Sequence, residues 1–482
     1  MGGVTYRISH LVTWSLSHSI QPFYPGIWVG SWRLPATDAV RAWYKAPMRI
    51  GTSTIVISLV GRLLCIGLAA LCLPAAAQEG EISSQTHALF ERLRGGVAKI
   101  RILLGASDTH AATGTGFVVG DDGLILTNYH VVADKALEPD VYRLEFVLPG
   151  GRRGPLKIMA IDVRNDLAVV KGETGPAHIL GFRTRPLAKG DHGFSLGYPL
   201  SQGLTVVEGI YNGRSEELYY ERIHFTGAIN PGMSGGPAVD AAGKVFGINV
   251  ATHRRGQLVS FLVPSRFAVE LLARARAQTG PPPTNFRSTV GTQLTAHDRA
   301  LQKVLAGPLP TQQLGPLVVP SRMGSFMQCA AGTERERGKG YDVSSYYCYT
   351  LSSVYVDPKL QTGMVSFRHR ILRSLGLGPL RFAHIQELQF LSGISSEYTS
   401  RKHQTGYACR ERIVALKGVR AKVAQCLRRY KLFEGLYDMS LMLATLDDSK
   451  LALHSELEMD GVSFEHAMGL SRRFLEAIRW NH

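Results

Sequence analysis

A chain of 482 residues is longer than one hydrophobic core ordinarily holds, so two folded domains are expected. With 45% hydrophobic and 19% charged residues it is neither a disordered chain nor a polytopic membrane protein, and its 51 Gly and 23 Pro fall without a collagen-like or low-complexity period. The net charge of +16 is uneven: residues 1–77 hold six Lys/Arg and one acid, 78–279 hold 22 and 20, and 280–482 hold 26 and 17. The C-terminal excess is scattered and accompanies no nucleic-acid-binding motif, so it reads as a solvated basic surface, and no nucleic-acid partner is expected.

Residues 48–77 have the three-part layout of a secretory signal. Arg49 and Arg62 supply positive charge, Leu63–Leu73 is an apolar run of eleven, and Ala75-Ala76-Ala77 offers small residues before polar Gln78. The run is short for a span, and Leu64 and Leu71 before Cys65 and Cys72 do not suit a lipoprotein signal. Read as one Arg-interrupted segment, the same stretch is an uncleaved anchor, the one case in which a membrane partner is expected. Residues 1–47 are an extension ahead of a complete signal, with Met48 as an alternative initiator to Met1. The expected location is exported, periplasmic or secreted.

Residues 78–279 form the first expected domain. A short helix over 82–94 leads into a strand at Val97–Leu104, and short apolar runs punctuated by Gly, Asp and Pro continue to Pro264. That spacing predicts an antiparallel barrel or sandwich. A helix over Arg266–Ala277 closes the segment, and Gly280-Pro281-Pro282-Pro283 opens a linker over 280–290.

Residues 291–482 read as a smaller α+β domain. Strands are expected at Ser344–Val356, Ile413–Leu416, Ser440–Leu446 and Leu451–Met459, followed by a helix capped by Ser463 with Phe464, Ala467, Phe474 and Ile478 on its core face. The mature chain keeps four cysteines, all here, which suits disulfides in an oxidising compartment. With no C-x-x-C and no nearby His pair, no metal site is expected. The local pairing, Cys329 with Cys348 and Cys409 with Cys426, would staple two hairpins by closing loops of about 20 and 18 residues, each contributing about 3 kcal/mol. Because each bridge lies far along the chain from the N-terminal domain, activity residing there is expected to survive mild reduction.

Three segments carry chemistry. The first is Gly114-Thr-Gly-Phe-Val-Val with Leu126-Thr-Asn-Tyr-His130-Val-Val, the second Asn165-Asp166-Leu-Ala-Val-Val, and the third Asn230-Pro231-Gly232-Met233-Ser234-Gly235-Gly236-Pro237. Together, with Gly197-Tyr-Pro199, Gly247-Ile-Asn249 and Ser260-Phe-Leu-Val-Pro264 behind them, they resemble the trypsin-like serine peptidases, specifically the HtrA/Deg branch, over about residues 95–275.

A serine nucleophile needs a neutral imidazole to take its proton and a carboxylate to fix the imidazole's tautomer, and His130, Asp166 and Ser234 stand in the trypsin-like chain order. Asp162, four residues upstream, is the rival carboxylate, but Asp166 directly precedes the Leu-Ala-Val-Val strand. The resemblance implies a chymotrypsin-like double six-stranded β-barrel, making the protein mainly β. It also implies an oxyanion hole from the N–H groups of Gly232 and Ser234, and no cofactor. Six residues before the serine, Ala228 would floor the primary pocket, with Val250, Ala251, Ser260, Phe261 and Leu262 along its walls. An uncharged floor disfavours Lys or Arg and implies medium aliphatic side chains.

Two departures matter. Met233 replaces the acid that an N-terminal amine would pair with, so trypsin-type zymogen activation is not expected. The four cysteines and the final helix after residue 285 do not suit the PDZ modules usual in this branch, so these are not expected either. The function implied is an exported serine endopeptidase of polypeptide substrates, in envelope quality control or processing. The alternative is a catalytically weak or inactive protease-fold binding or regulatory protein that works through its basic C-terminal domain.

Overall fold

The computed structural model describes residues 79–482 apart from 106, 108, 216–217, 253–258, 336–337, 339, 395–401 and 482, and at 79–83, 201, 251–252 and 391–394 the backbone only. The expected extension 1–47 and signal or anchor 48–77 lie outside the described residues. Among those residues, no helix is long and apolar enough to cross a membrane.

Helix α1 (Glu79–Leu93) buries Leu89 and Leu93, one turn apart, in a cluster shared with strands that follow. Six short strands then close the first barrel: β1 (Val97–Leu104), β2 (His110–Val118), β3 (Leu124–Thr127), β4 (Tyr142–Val147), β5 (Arg153–Asp162) and β6 (Leu167–Lys171), in spatial order β1-β2-β3-β6-β5-β4. Helix α2 (Tyr129–Leu137) sits between β3 and β4. The second barrel closes in the order β10-β11-β12-β9-β8-β7 from β7 (His192–Gly197), β8 (Thr205–Arg214), β9 (Ile223–Phe225), β10 (Pro237–Val239), β11 (Val245–Thr252) and β12 (Ser260–Pro264). Two closed six-stranded barrels are the architecture the resemblance implied, and closure leaves neither with a free edge.

Helix α3 (Ser265–Ala277) stops short of Gly280-Pro-Pro-Pro, and helix α4 (Arg287–Val304) begins beyond it. The intervening chain is tied down. Phe286 N–H donates to Ala136 O at 2.9 Å and Arg287 Nε to Leu137 O at 2.7 Å, satisfying carbonyls at the end of α2 that have no intrahelical partner.

The C-terminal region is built on a seven-stranded antiparallel sheet. Small sheets flank it: β13 (Thr311–Leu314) and β14 (Leu317–Pro320), joined by the final β24 (Arg479–Trp480), and the hairpin β17 (Val354–Tyr355) with β18 (Gln361–Thr362). The main sheet runs β15 (Met327–Arg335), β16 (Tyr341–Thr350), β19 (Val365–Ser374), β23 (Leu451–Val462), β22 (Tyr437–Thr445), β21 (Val419–Arg429) and β20 (Ala408–Leu416). Two helices complete it, α5 (Pro379–Ile394) and α6 (Phe464–Glu476). Along β22, Leu441 and Leu443 share a cluster with Leu470 and Phe474 of α6, while Met442 and Ala444 meet Phe390 of α5. A strand covered on both faces reads as a continuous apolar run, as this one does. Ser463 caps α6 as expected, its hydroxyl accepting from His466 N–H.

Both disulfides form as anticipated, Cys329–Cys348 and Cys409–Cys426. Each joins residues directly opposite on adjacent antiparallel strands. The expected strand over Ser344–Val356 is broken: β16 ends at Thr350 and the chain re-pairs as β17.

One apolar cluster crosses from the first barrel into this region. Tyr129, Val132 and Ala136 of α2 share it with Val290 and Leu294 of α4 and with Val354, Val356 and Leu360 of the small hairpin. Fully burying a Val or Leu side chain stabilises by about 1.5–3 kcal/mol, so a contact with six of them buried holds the two regions firmly.

Candidate functional site

His130 is the second residue of α2, and the turn before β6 brings Asp166 beneath it. His130 Nδ1 lies 2.7 Å from Asp166 Oδ2, and its backbone N–H donates to Oδ1 at 2.9 Å. The carboxylate thus holds both the ring and the backbone of one residue. Asn128 stands at the helix N-cap, but its side chain donates to Asp166 O at 2.7 Å instead of to the helix. This holds Asp166 in a left-handed conformation (φ 59°), which few non-glycine residues adopt. With Nδ1–H donated to the carboxylate, Nε2 is left with its lone pair for a proton acceptor's role. Asp162 is engaged elsewhere: Oδ1 accepts from Asn165 N–H at 3.0 Å and Oδ2 faces Arg274 at 3.3 Å.

The segment 230–236 crosses from the second barrel. Gly232 has φ +97°, and a Cβ there would lie 2.3 Å from Tyr198 O; Gly235 has φ +85°, and its Cβ would meet Thr115 O at 2.2 Å. Only glycine fits either position. Thr115 of the first barrel fastens the loop: its hydroxyl donates to Gly232 O at 2.7 Å and its N–H to Ser234 O at 2.9 Å. Both carbonyls therefore point away from the cleft, and neither Gly232 N–H nor Ser234 N–H has an acceptor among the described residues.

Met233, whose replacement of an acid was conspicuous in the sequence, is fully buried in the second-barrel cluster with Phe225, Ile229 and Leu262. Its carbonyl accepts from Asn249 Nδ2 at 3.2 Å, so an apolar plug and an amide anchor this loop where the acid would have carried an ion pair.

His130, Asp166 and Ser234 line one cavity of about 900 Å³. Of the expected pocket residues, Val250 and Phe261 line it, joined by Ile229. Ala228 is exposed beside that stretch. Ser260 is buried and donates to Gly227 O at 2.7 Å, and Leu262 lies in the second-barrel cluster. The side chain of Ala251 lies outside the described residues.

The rest of the cavity wall was not anticipated. Tyr220 and Arg222 come from the second barrel, and Tyr347, Ser352 and Tyr355 from the C-terminal region. Burial draws the Arg222 guanidinium down from its ordinary range, opposed by the nearby Asp166 carboxylate. Burial pushes the Tyr129 hydroxyl well above its ordinary range, and the Asp166 charge adds to this. That hydroxyl therefore stays neutral and donates to Val356 O at 2.9 Å.

A family model described as a trypsin-like peptidase domain matches residues 114–248. A probable periplasmic serine endoprotease, DegP-like, of Chlamydia trachomatis is 32% identical over 171 residues, covering 34% of this chain and 33% of its own. Serine protease HTRA1A of Danio rerio is 34% identical over 213 residues, covering 41% of this chain and 42% of its own. The chain thus spans about a third of the length of the DegP-like relatives it matches, 33% in the Chlamydia trachomatis case. Among solved structures, a serine endoprotease from Yersinia pestis aligns with 39% of this chain and 65% of its own at 24% identity and a TM-score of 0.35, too slight a likeness to carry weight.

Proposed function

We propose that this chain, which carries a trypsin-like serine protease domain of the HtrA/Deg family, is a serine endopeptidase with His130, Asp166 and Ser234 as its triad. The observation that carries the assignment is the 2.7 Å contact between His130 Nδ1 and the Asp166 carboxylate, in the cavity that Ser234 also lines.

In the reaction, His130 Nε2 takes the Ser234 hydroxyl proton as Oγ attacks the scissile carbonyl carbon. The resulting oxyanion accepts from the N–H groups of Gly232 and Ser234, and one such donor typically contributes about 3 kcal/mol to the transition state. The imidazolium, stabilised by Asp166, gives its proton to the leaving amine as the C–N bond breaks. Water, deprotonated by the same imidazole, then attacks the acyl-enzyme and regenerates Ser234. Ile229, Val250 and Phe261 give the wall near Ser234 an apolar character, which suits a medium aliphatic side chain of an extended polypeptide. The periplasmic naming of the DegP-like relatives agrees with reading 48–77 as an export segment and with work on envelope proteins.

The test is labelling by a fluorophosphonate, which reacts only with an activated serine. The wild-type chain is expected to label, and Ser234→Ala is expected not to. A wild type that stays unlabelled, or a labelled Ser234→Ala, overturns the assignment.

A further inference from the structure

The hairpin β17–β18 reaches from the C-terminal region to the cleft, and its residues serve two tasks. Val354 and Val356 point into the cluster shared with α2, each almost wholly buried. Val356 O accepts from the hydroxyl of Tyr129, the residue just before His130. Tyr355 between them packs against the edge of that cluster and also lines the cavity. Its ring lies against the imidazole of His130, centroids 4.7 Å apart and planes at 33°.

The hairpin is stiffened from within. Asp357 Oδ1 accepts from Lys359 N–H and Leu360 N–H at 2.7 Å, and Asp357 Oδ2 lies 2.5 Å from Nε2 of the buried His403. Its stem also reaches the opposite lip of the cleft. Ser352 Oγ accepts from Tyr219 N–H at 2.9 Å, on the second-barrel segment that places Tyr220 and Arg222 in the cavity. One short segment, 352–362, therefore touches both barrels: the one that carries His130 and Asp166 and the one that carries Ser234.

We propose that the 352–362 finger is a working part of the active centre and that Tyr355 is a positioning residue for His130. The inference rests on the endopeptidase reading. Asp166 grips the imidazole at one edge through Nδ1, which leaves the ring free to tilt about that contact. Tyr355 covers one face and restricts the tilt, keeping Nε2 directed at Ser234. Its aromatic face also receives the imidazolium that forms during each proton transfer. A protease domain ending near residue 279 lacks this wall, so the C-terminal region contributes to turnover itself and is more than an appended recognition module.

The test compares Tyr355→Ala, Tyr355→Leu and Tyr355→Phe in the full chain by fluorophosphonate labelling rate, by kcat and KM on a short peptide, and by thermal melting. Small displacements in an active centre cost one to two decades in rate. The Ala variant is therefore expected to lose roughly 10- to 100-fold in labelling rate and kcat, with KM changed less than about threefold. Leu retains bulk and should keep the finger folded, yet it is expected to fall with Ala because it offers no aromatic face. Phe, which restores the ring without the hydroxyl, is expected to recover most of the wild-type rate. A merely structural residue would lose melting temperature along with rate in the Ala and Leu variants, whereas a positioning residue loses kcat at a near-unchanged melting temperature. Wild-type kcat in the Ala or Leu variant, a change confined to KM, or a Phe variant as slow as Ala overturns the proposal. So does a rise in activity, which would make the finger a plug. An unlabelled wild type overturns the endopeptidase reading instead, and this inference falls with it.

Discussion

Replacing Asp166 by Asn probes the site through one atom. The carboxylate accepts twice, from His130 Nδ1–H at 2.7 Å and from His130 N–H at 2.9 Å. An amide offers one acceptor and one donor, so it must fail at one of the two contacts. If its oxygen stays on the backbone N–H, its NH₂ faces Nδ1, and the ring must move its proton to Nε2 to accept. Nε2 then has no lone pair for the Ser234 proton. If the amide flips, NH₂ meets the backbone N–H, two donors in a site whose Asp166 is almost fully buried. Either outcome lowers the active population and removes the charge that stabilises the imidazolium. In the template triad this substitution costs about 10⁴ in kcat, or about 5.5 kcal/mol on the barrel-to-barrel proton transfer. The assay is peptide hydrolysis with the fluorophosphonate labelling rate beside it, and a denaturant melt to verify folding. Asp162→Asn is the control: it loses contacts to Asn165 and Arg274, and kcat is expected to stay within a few-fold. Near-full activity in Asp166→Asn, or a collapse in Asp162→Asn alone, would refute the reasoning.

Other outcomes follow from single contacts. Ser234→Ala is expected to abolish turnover with a melting temperature close to wild type, because this half-buried hydroxyl fills no core; surviving turnover would contradict it. Met233→Ala empties part of the second-barrel cluster and is expected to cost about 2–5 kcal/mol in a denaturant melt; a loss below about 1 kcal/mol would mean the loop is anchored by its backbone alone. Burial holds His369 down to about 3, while the unfolded chain titrates near 6.5, so the unfolded state binds more protons between these values and stability is lost as pH falls through that window. At pH 5 this one group is expected to cost about 2 kcal/mol relative to pH 7, and His369→Gln should remove that part of the slope; an unchanged slope would sink the attribution. Cys348 lines the cavity and Cys426 does not, so the double Cys329→Ser, Cys348→Ser variant is expected to slow peptide hydrolysis, whereas Cys409→Ser with Cys426→Ser should leave it near wild type; equal effects would argue against a role for the cleft wall.

Much of the protease fold was legible because its determinants are local. Val97–Leu104 is recognisable as a strand from its own residues, and the Gly-Pro-Pro-Pro stop lies between two helices because proline and glycine terminate them. The cysteine pairs were legible for the same reason: each brackets a short turn, and in an antiparallel hairpin the residues flanking a turn come to lie opposite one another. Helices α4 and α5 were not read. In α4 the core positions Val290, Leu294 and Leu301 are separated by polar residues, and two of its buried groups, His297 and Asp298, are charged or polar types that a sequence reading assigns to solvent. Their burial depends on partners far along the chain, the Tyr220 hydroxyl for His297 and His466 for Asp298.

The same distinction separates the legible part of the site from the rest. His130, Asp166 and Ser234 each stand in a short frame whose chemistry is intelligible without the fold. Thr115 lies inside the Gly114-Thr-Gly-Phe-Val-Val segment, yet only the folded loop reveals that it turns the Gly232 and Ser234 carbonyls away from the cleft. Tyr355 had no frame at all. It lies in a run of Tyr, Ser and Val that reads as one strand through Val356, and nothing within that run marks where β16 ends and the finger begins. What brings its ring to His130 is the packing of Val354 and Val356 on α2, a contact across more than two hundred residues. The expectation that reduction would spare peptide hydrolysis assumed that distance along the chain means distance in space. Cys348 in the wall of the cavity removes that assumption, and with it the reason for treating the C-terminal region as separable from the chemistry.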